Sequence, residues 1–442
     1  MSDQRLAQKI TVSSLLRFTF PTIIMMVFTS VYSMVDGIFV SRFVGADAIS
    51  ATNIVYPVIY LVIGLGAMFG SGGSAVIAKK MGEGRLQEAC EDLSLLTLVS
   101  AITGLLISAA GLAAARPILY ALGSNDRLYP YCRDYFITNL SGFPFYMLQL
   151  VFQCYFVAAG RPKLGLYSSL LAGVTNAVLD YVFIVHLDLG IGGAGLATVC
   201  GYLIPSVTGL VFFARSRSGL CFRRPHLRRQ VLTGTMSNGS SEMVTNLANA
   251  VIFFVINIVT LRVMGEDGLA AISMILYCQF LFTSIYMGFS SGAAPLISYN
   301  LGAGNARQLH RIFVICLGFI AVSSVGMTLL PFFTAGYIVR FFTQPGTAVY
   351  DMAVHGFLLF ALGYLFAGIN IFSSSFFTAL SNGKISAIIS FARTFGLILP
   401  SLLILPELIG SDGVWLAIPI AEALCSLLSF WFLRSQRIHY PY

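Results

Sequence analysis

Long apolar runs separated by short polar segments follow one another along almost the whole chain. Many of them exceed the roughly 18 to 20 residues with which an α-helix crosses a bilayer. Their apolar positions do not alternate with polar ones, which excludes the short alternating strands of a membrane β-barrel. The pattern predicts twelve transmembrane helices, with approximate spans 14–41, 51–78, 91–114, 129–158, 163–187, 190–214, 235–263, 268–299, 311–336, 350–380, 384–406 and 412–434.

Composition supports an all-α polytopic membrane protein. The mean hydropathy of the 442 residues is +0.84, and only 10% of the residues are charged, whereas soluble domains carry about 25%. The eight cysteines form no CxxC pair and no Cys/His cluster, and most lie inside apolar runs. We interpret them as free thiols and expect no cofactor.

The net charge of +8 follows the loops, so it reflects membrane topology and not nucleic-acid binding. An even number of helices puts both termini on one side. If that side is the cytoplasm, nineteen of the 26 basic residues are inside, as the positive-inside rule requires. The densest basic segment, Arg215 to Gln230, is interpreted as a cytoplasmic connector, with a site for anionic lipid headgroups as the alternative.

The two halves of the chain resemble each other at a spacing of 220 residues. "VGADAISA" at position 44 corresponds to "MGEDGLAA" at 264, and the glycines of "KKMGEGR" correspond to those of "YNLGAGN". The expected domains are an N-terminal six-helix lobe (1–214), a basic cytoplasmic linker (215–233) and a C-terminal six-helix lobe (234–442). Two such parallel repeats are a transporter architecture, with substrate bound in a cleft between them.

Two acids at membrane depth form the main functional candidate, because a carboxylate there is costly. Asp36 and Asp180 lie late in the first and fifth helices, which run in the same direction, so they share one depth. Asn176 lies one helical turn before Asp180, and the hydroxyls of Tyr32 and Tyr181 are close in sequence. These oxygens predict a site for a proton or Na⁺.

The second half lacks these two acids and has two others, Glu242 and Glu422. Glu242 is expected near the cytoplasmic start of the seventh helix as a first-turn acid, or as a coupling or substrate residue with Asn246 on the same face. Glu422 lies deeper, and Arg393 is expected to neutralise it, with a substrate role as the alternative.

Several stretches resemble the multidrug and toxic compound extrusion (MATE) transporters. They are "FPTIIMMVFTSVYSMVDGIFVSRFVGADAISATNIVYPV", "GSGGSAVIAKKMGEGR" and "AAGRPKLGLYSSLLAGVTNAVLDYVFI". The resemblance covers nearly the whole chain and is strongest to the bacterial multidrug export proteins. It implies two six-helix bundles around a V-shaped cleft. It also implies export of lipophilic, often cationic small molecules in exchange for Na⁺ or H⁺, with the cation at Asp36, Asn176 and Asp180.

The resemblance further implies a monomer, not an enzyme, in the bacterial cytoplasmic (inner) membrane, where its partners are the lipid bilayer and a small-molecule substrate. Two alternatives stay open. A flippase or exporter of lipid-linked oligosaccharides or metabolites from the same superfamily would need arginines facing the cavity. An integral membrane prenyltransferase would need clustered aspartates near a membrane face.

Overall fold

A computed structural model describes residues 6, 8–440 and 442, without the side chains of residues 37, 38, 41, 42 and 46. Residues 1–5, at the start of the predicted N-terminal lobe, lie outside this part. The described chain is helical almost throughout. Helices α1 to α6 are Val12–Phe39, Ala46–Gly82, Leu86–Ala113, Tyr129–Ala158, Pro162–Asp180 and Gly190–Arg215, and a short helix, Ala115–Ala121, precedes α4.

The second half begins with the continuous helical segment Arg229–Gly302, which Gly265 divides into α7 (229–264) and α8 (266–302). Gly265 has φ 68° and ψ −160°, a conformation open essentially only to glycine. An undivided helix of 74 residues would be about 110 Å long, several times the bilayer core. Helix α9 is Ala306–Arg340, α10 consists of Ala348–Ala361 and Tyr364–Ala379 bent by 49°, α11 is Gly383–Ile409 and α12 is Ser411–Ser435.

Counted this way, the described residues form twelve spans, and the predicted all-α fold of two parallel six-helix repeats is confirmed. Helix α7 starts six residues earlier than expected, at Arg229. Glu242 therefore lies between three and four turns inside the helix, and the prediction of a first-turn acid is wrong. Sequence reasoning placed the start too late because the basic residues before it were assigned to the linker.

Within the described part of the chain, three π-helical segments interrupt the regular helices. Val40–Val44 continues α1, Tyr181–His186 continues α5, and Ala392–Ile398 lies inside α11. A π segment has one extra residue per turn and rotates the side chains that follow it, which is why such segments are frequent at functional sites. Two of them adjoin Asp36 and Asp180, and the third contains Arg393.

The two lobes pack closely where α2 and α8 end. A Cβ atom added to Gly82 would lie 2.0 Å from the carbonyl oxygen of Tyr299, and one added to Gly302 would lie 2.0 Å from the carbonyl oxygen of Lys79. Gly82 and Gly302 correspond at the 220-residue spacing of the repeat, so each lobe makes the same contact with the other. The lobes are therefore related by pseudo-two-fold symmetry, and glycine permits their backbones to touch at this end.

Candidate cation and substrate sites

Asp36 and Asp180 meet in the N-terminal lobe. Asp36 lies in the last turn of α1 and is half-buried, whereas Asp180 is the final residue of regular α5 and is 0% exposed. Their carboxyl groups lie close enough that the charge of one acts on the other, and the Tyr32 hydroxyl lies near both. The structure thus brings together the two acids that equal helix direction predicts to share one depth.

A glycine on α5 allows this approach. A Cβ atom added to Gly173 would lie 2.5 Å from Cε1 of Phe28 and 3.5 Å from Cβ of Tyr32. Phe28, Tyr32 and Asp36 follow one another at intervals of four residues, so they form one stripe along α1. Because Gly173 presents no side chain, this stripe lies against α5, and its last member reaches Asp180.

The acid pair has no basic partner among the described side chains. Oδ1 of Asp36 and both carboxylate oxygens of Asp180 are buried and accept no hydrogen bond in the described part of the protein. A buried polar atom without a partner costs free energy, and an unpaired buried charge costs more. A proton or a bound cation removes that cost, so this pair of acids has the chemistry of a cation site.

A small polar cavity adjoins the pair and has room for about one water-sized particle. Asn176 is 3% exposed, lines the cavity and donates a hydrogen bond from Nδ2 to Oγ1 of Thr198 at 3.4 Å. Eight of its ten lining residues carry a side-chain oxygen, the ligand atom that a hard cation such as Na⁺ prefers. The lining residues are Thr29, Tyr32, Gln149, Gln153, Ser169, Ala172, Asn176, Thr198, Gly201 and Tyr202.

Sequence reasoning missed the wall that α4 and α6 contribute. Gln149 and Gln153 come from α4, and Thr198 and Tyr202 come from α6. Oε1 of Gln149 is another buried oxygen without a partner in the described chain. Both pairs are spaced four residues apart in apolar helices, so each marks one polar face. The four-residue spacing is visible in the sequence, but it does not show which neighbouring helix each polar face contacts.

Tyr181 does not lie in this pocket, so its proposed hydroxyl contribution is wrong. Its side chain is 54% exposed, although it directly follows the fully buried Asp180. Neighbouring residues on a helix point about 100° apart, and the π segment that begins at Tyr181 turns the chain further. Tyr32, in contrast, lines the cavity as expected.

The C-terminal lobe contains a buried charge network that supplies its own cation. Nε of Arg393 donates to Oε1 of Glu422 at 2.9 Å, and a terminal nitrogen of the same guanidinium donates at 2.5 Å. Nδ2 of Asn370 donates to Oε2 of Glu422 at 2.7 Å, and Ser429 donates to Oδ1 of Asn370 at 2.8 Å. The predicted neutralisation of Glu422 by Arg393 is confirmed.

The repeat makes the two lobes directly comparable. At the spacing of 220 residues, Arg393 corresponds to Gly173 and Glu422 corresponds to Tyr202. The C-terminal lobe therefore has an ion pair where the N-terminal lobe has a helix contact and a cavity wall. Glu422 is neutralised by an arginine of its own lobe. Asp36 and Asp180 have no cationic partner among the described residues.

Glu242 lies at the interface between the lobes. Its neighbour Met243 packs on α2, where a Cβ atom added to Gly64 would lie 3.3 Å from the Met243 side chain. The Glu242 side chain is half-buried and lies near Cys154 of α4. Asn246 donates a hydrogen bond to the Glu242 main-chain carbonyl at 2.8 Å, so its amide nitrogen is engaged within α7.

The sequence model of one family, described as MatE, matches residues 21–182 and again residues 243–403. The chain belongs to the MatE family. The two matched segments begin at corresponding places of the repeat, and together they cover most of the chain. MatE proteins are transporters and not enzymes, so this chain is a multi-pass membrane transporter.

Curated relatives of this MatE protein are multidrug export proteins. Multidrug export protein MepA of Staphylococcus haemolyticus is 24% identical over 431 residues, which cover 96% of this chain and 93% of that protein. Multidrug export protein MepA of Staphylococcus aureus strain N315 is 23% identical to this chain over 447 residues, which cover 96% of this chain and 94% of that protein.

Solved structures share the MatE fold over the whole length. A crystal structure of MATE in complex with MaL6 has a TM-score of 0.92, 20% sequence identity and coverage of 98% of both chains. The outward-facing conformation of a multidrug resistance MATE family transporter of the MOP superfamily has a TM-score of 0.91 at 20% identity, covering 98% of this chain and 97% of that one. At this identity the likeness concerns the fold alone.

The site geometry of this MatE protein also bears on the two alternative functions, a prenyltransferase and a flippase of lipid-linked oligosaccharides. In the described chain, no group of three or more His, Cys, Asp or Glu side chains is placed to hold a metal ion, although a prenyltransferase needs clustered aspartates. Arg393, the deep arginine that a flippase cavity would use, has a side chain only 16% exposed and is engaged by Glu422.

Proposed function

We propose that this protein is a secondary active antiporter that exports lipophilic, often cationic small molecules in exchange for Na⁺ or H⁺. One observation carries the proposal: the Asp36–Asp180 pair lacks a cationic partner among the described residues, and beside it Tyr32 and Asn176 line a small cavity with further polar side chains. The names of the staphylococcal relatives support drug export.

The coupling mechanism follows from the charges. Two carboxylates in contact repel each other when both are ionised, so α1 and α5 separate at their ends. A proton or a Na⁺ ion held by Asp36, Asp180 and Asn176 removes the repulsion and draws the helix ends together. The π segments that follow both acids are the points at which the helices bend. This movement reshapes the cleft and favours release of the substrate.

Coupling through one lobe only is part of the proposal. The guanidinium of Arg393 already compensates Glu422, so this acid has no need of a cation from solution, and Glu242 is assigned to the substrate cleft. The exchange therefore uses one cation site per chain, in the N-terminal lobe. The C-terminal lobe moves relative to it as a rigid body. We assign the protein to the bacterial cytoplasmic membrane as a monomer, with both termini inside.

The substrate surface is assigned to the cleft between the lobes. Tyr56 on α2 and Tyr277 on α8 are 38% and 49% exposed, and we assign their rings to the wall of this cleft. Aromatic faces bind lipophilic cations by cation–π attraction. Glu242 adds a negative charge near the closed end of the same cleft. With the lobes packed at the end that contains Gly82 and the basic loops, the cleft opens outward.

Transport in proteoliposomes tests this proposal. Purified protein would be reconstituted and the uptake of a fluorescent lipophilic cation such as ethidium followed, first under a Na⁺ gradient alone and then under a pH gradient alone. One of the gradients is expected to drive uptake in the wild type but not in Asp36→Asn or Asp180→Asn, because an amide neither binds a proton nor carries charge.

Asp188→Asn is the matched control. Asp188 is exposed, lies eight residues after Asp180 and has a φ of 51°, a conformation that asparagine also tolerates. This control is expected to transport like the wild type. Wild-type, gradient-driven uptake by either pocket variant would refute the assignment of the coupling site, and uptake that ignores both gradients would refute the antiport mechanism.

A further inference from the structure

A pair of cysteines joins the inter-lobe connector to the N-terminal lobe. The connector, residues 216–228, runs along the start of α3. The sulfur atoms of Cys90 on α3 and Cys221 in the connector are 3.6 Å apart. The main-chain nitrogen of Cys221 donates to the Cys90 sulfur at 3.3 Å, and the Cys90 thiol faces the carbonyl oxygen of Gly219 at 3.7 Å. The two thiols are therefore in direct contact.

Polar contacts hold the connector in place beyond this pair. The main-chain nitrogen of Arg223 donates to Oγ of Ser94 at 2.9 Å. Further along, Arg228 donates to the carboxylates of Glu91 at 2.5 Å and Glu88 at 3.1 Å. These bonds attach the connector to the first turns of α3 both before and after Cys90 in the chain, so they hold the two sulfurs together.

The two cysteines differ in access. Cys90 is 2% exposed, whereas Cys221 is half-exposed. Among the described residues, the contact between Cys221 and Cys90 is the one hydrogen bond between two thiols, and all eight cysteines are free. A partly exposed thiol with a buried thiol beside it is the arrangement of a redox pair, in which the first sulfur is oxidised and the second resolves the product.

We propose that Cys90 and Cys221 form a peroxide-sensitive thiol pair whose disulfide fastens the connector to α3 and restrains the movement of the lobes. The Cys221 thiolate attacks a peroxide oxygen, breaks the O–O bond and becomes a sulfenic acid, while the other oxygen leaves as hydroxide. The Cys90 sulfur then displaces the sulfenic oxygen as water, and an S–S bond forms. The peroxide is reduced, and the two thiols supply both electrons and both protons.

The effect on transport rests on the proposed function. Helix α7 begins at Arg229, only eight residues after Cys221. Opening the cleft at this end moves the start of α7 relative to α3, and the connector must then change its path along α3. A disulfide fixes the connector at Cys221 and leaves a short tether to α7. The oxidised protein is therefore expected to reach the opened state less often and to transport more slowly.

Counting thiols tests the pair itself, independently of transport. Purified protein would be treated with hydrogen peroxide, unfolded and reacted with a maleimide that adds mass at each free thiol. Six thiols are expected to react in place of the original eight, and digestion should release one disulfide-linked peptide containing Cys90 and Cys221. Eight reactive thiols after treatment, or a linkage between other cysteines, would overturn the proposal.

Two variants make the transport result specific. Cys221→Ser removes the partly exposed thiol of the pair, and Cys200→Ser removes a cysteine of α6 with similar partial exposure while leaving the pair intact. Peroxide is expected to slow transport roughly fivefold or more, the lower range for two coupled states, in the wild type and in Cys200→Ser. Dithiothreitol should restore it, and Cys221→Ser should be insensitive.

The outcomes separate the two proposals. If the disulfide forms but transport is unchanged, or if Cys221→Ser is inhibited equally, the restraint on lobe movement is refuted. If the untreated wild type shows no gradient-driven transport, the proposed function fails, while the thiol count still decides whether the pair is oxidised.

Discussion

Replacing Gly82 by alanine is expected to shift this transporter away from the conformation described here. The added Cβ atom would lie 2.0 Å from the carbonyl oxygen of Tyr299 and 2.9 Å from the main-chain nitrogen of Ala303. Ordinary contacts between a carbon and a carbonyl oxygen are about 3.3 to 3.6 Å. Helices α2 and α8 must therefore separate by more than about 1 Å, because neither obstructing atom belongs to a side chain that could rotate away.

The clash acts on one conformational state only. Overpacking of this kind costs roughly 1 to 3 kcal/mol, and the cost falls on the state in which the lobes touch at Gly82. A state opened at this end carries no such contact. The ratio of opened to closed molecules should rise by about 5- to 150-fold. The intrinsic preference of alanine for a helix, about 0.5 to 1 kcal/mol, acts equally on both states and cancels.

Distance measurements between spin labels would detect the shift. Labels at Gln87 and Arg307, both exposed, report on α3 and α9 at the end of the molecule where the lobes touch. In a background free of other reactive cysteines, Gly82→Ala is expected to move the distance distribution to longer separations, and Gly302→Ala to do the same because it makes the symmetric contact with Lys79.

Gly318→Ala serves as the control for this experiment. An added Cβ atom there meets nothing within 4 Å, although Gly318 also lies within a helix. Its distance distribution should match that of the wild type. Identical distributions for wild type, control and both interface variants would refute the inference that this glycine contact stabilises the closed end.

Three further substitutions test the electrostatic roles of single residues. Arg393→Met leaves Glu422 buried without its cation and should lower the free energy of unfolding by about 3 to 5 kcal/mol, seen as a lower unfolding temperature in detergent. The double variant with Glu422→Gln should recover much of the loss, and an undiminished loss would contradict the ion-pair role. Glu242→Gln should weaken transport of cationic substrates by about 1 to 2 kcal/mol, roughly tenfold, while neutral substrates and the choice of driving gradient stay unchanged; equal loss for both substrate classes would argue against a charge contact. Arg228→Gln removes the contacts to Glu91 and should speed tryptic cleavage within residues 216–228 several-fold, and an unchanged cleavage rate would show that other contacts hold the connector.

The candidate site was partly predictable because depth in a membrane is a one-dimensional property. Helix count and direction suffice to place Asp36 and Asp180 at one level, and the structure brings them into contact. The rotation of a helix about its axis is different, since it depends on the neighbours against which the helix packs. For that reason Tyr181 was wrongly assigned to the pocket, and the glutamine face of α4 was overlooked although its spacing of four residues was visible.

The sequence by itself determined the twelve spans, the repeat and the isolated acids, because apolar length, internal similarity and unpaired charge are local features of the chain. The tertiary structure alone decided which polar faces enclose the cavity, that Asn370 and Ser429 complete the network around Glu422, and that the lobes meet at Gly82 and Gly302. It also revealed the connector lying on α3 with Cys221 against Cys90. These contacts join residues far apart in the chain, and close packing between specific helix faces selects them from many pairings that the same pattern would allow.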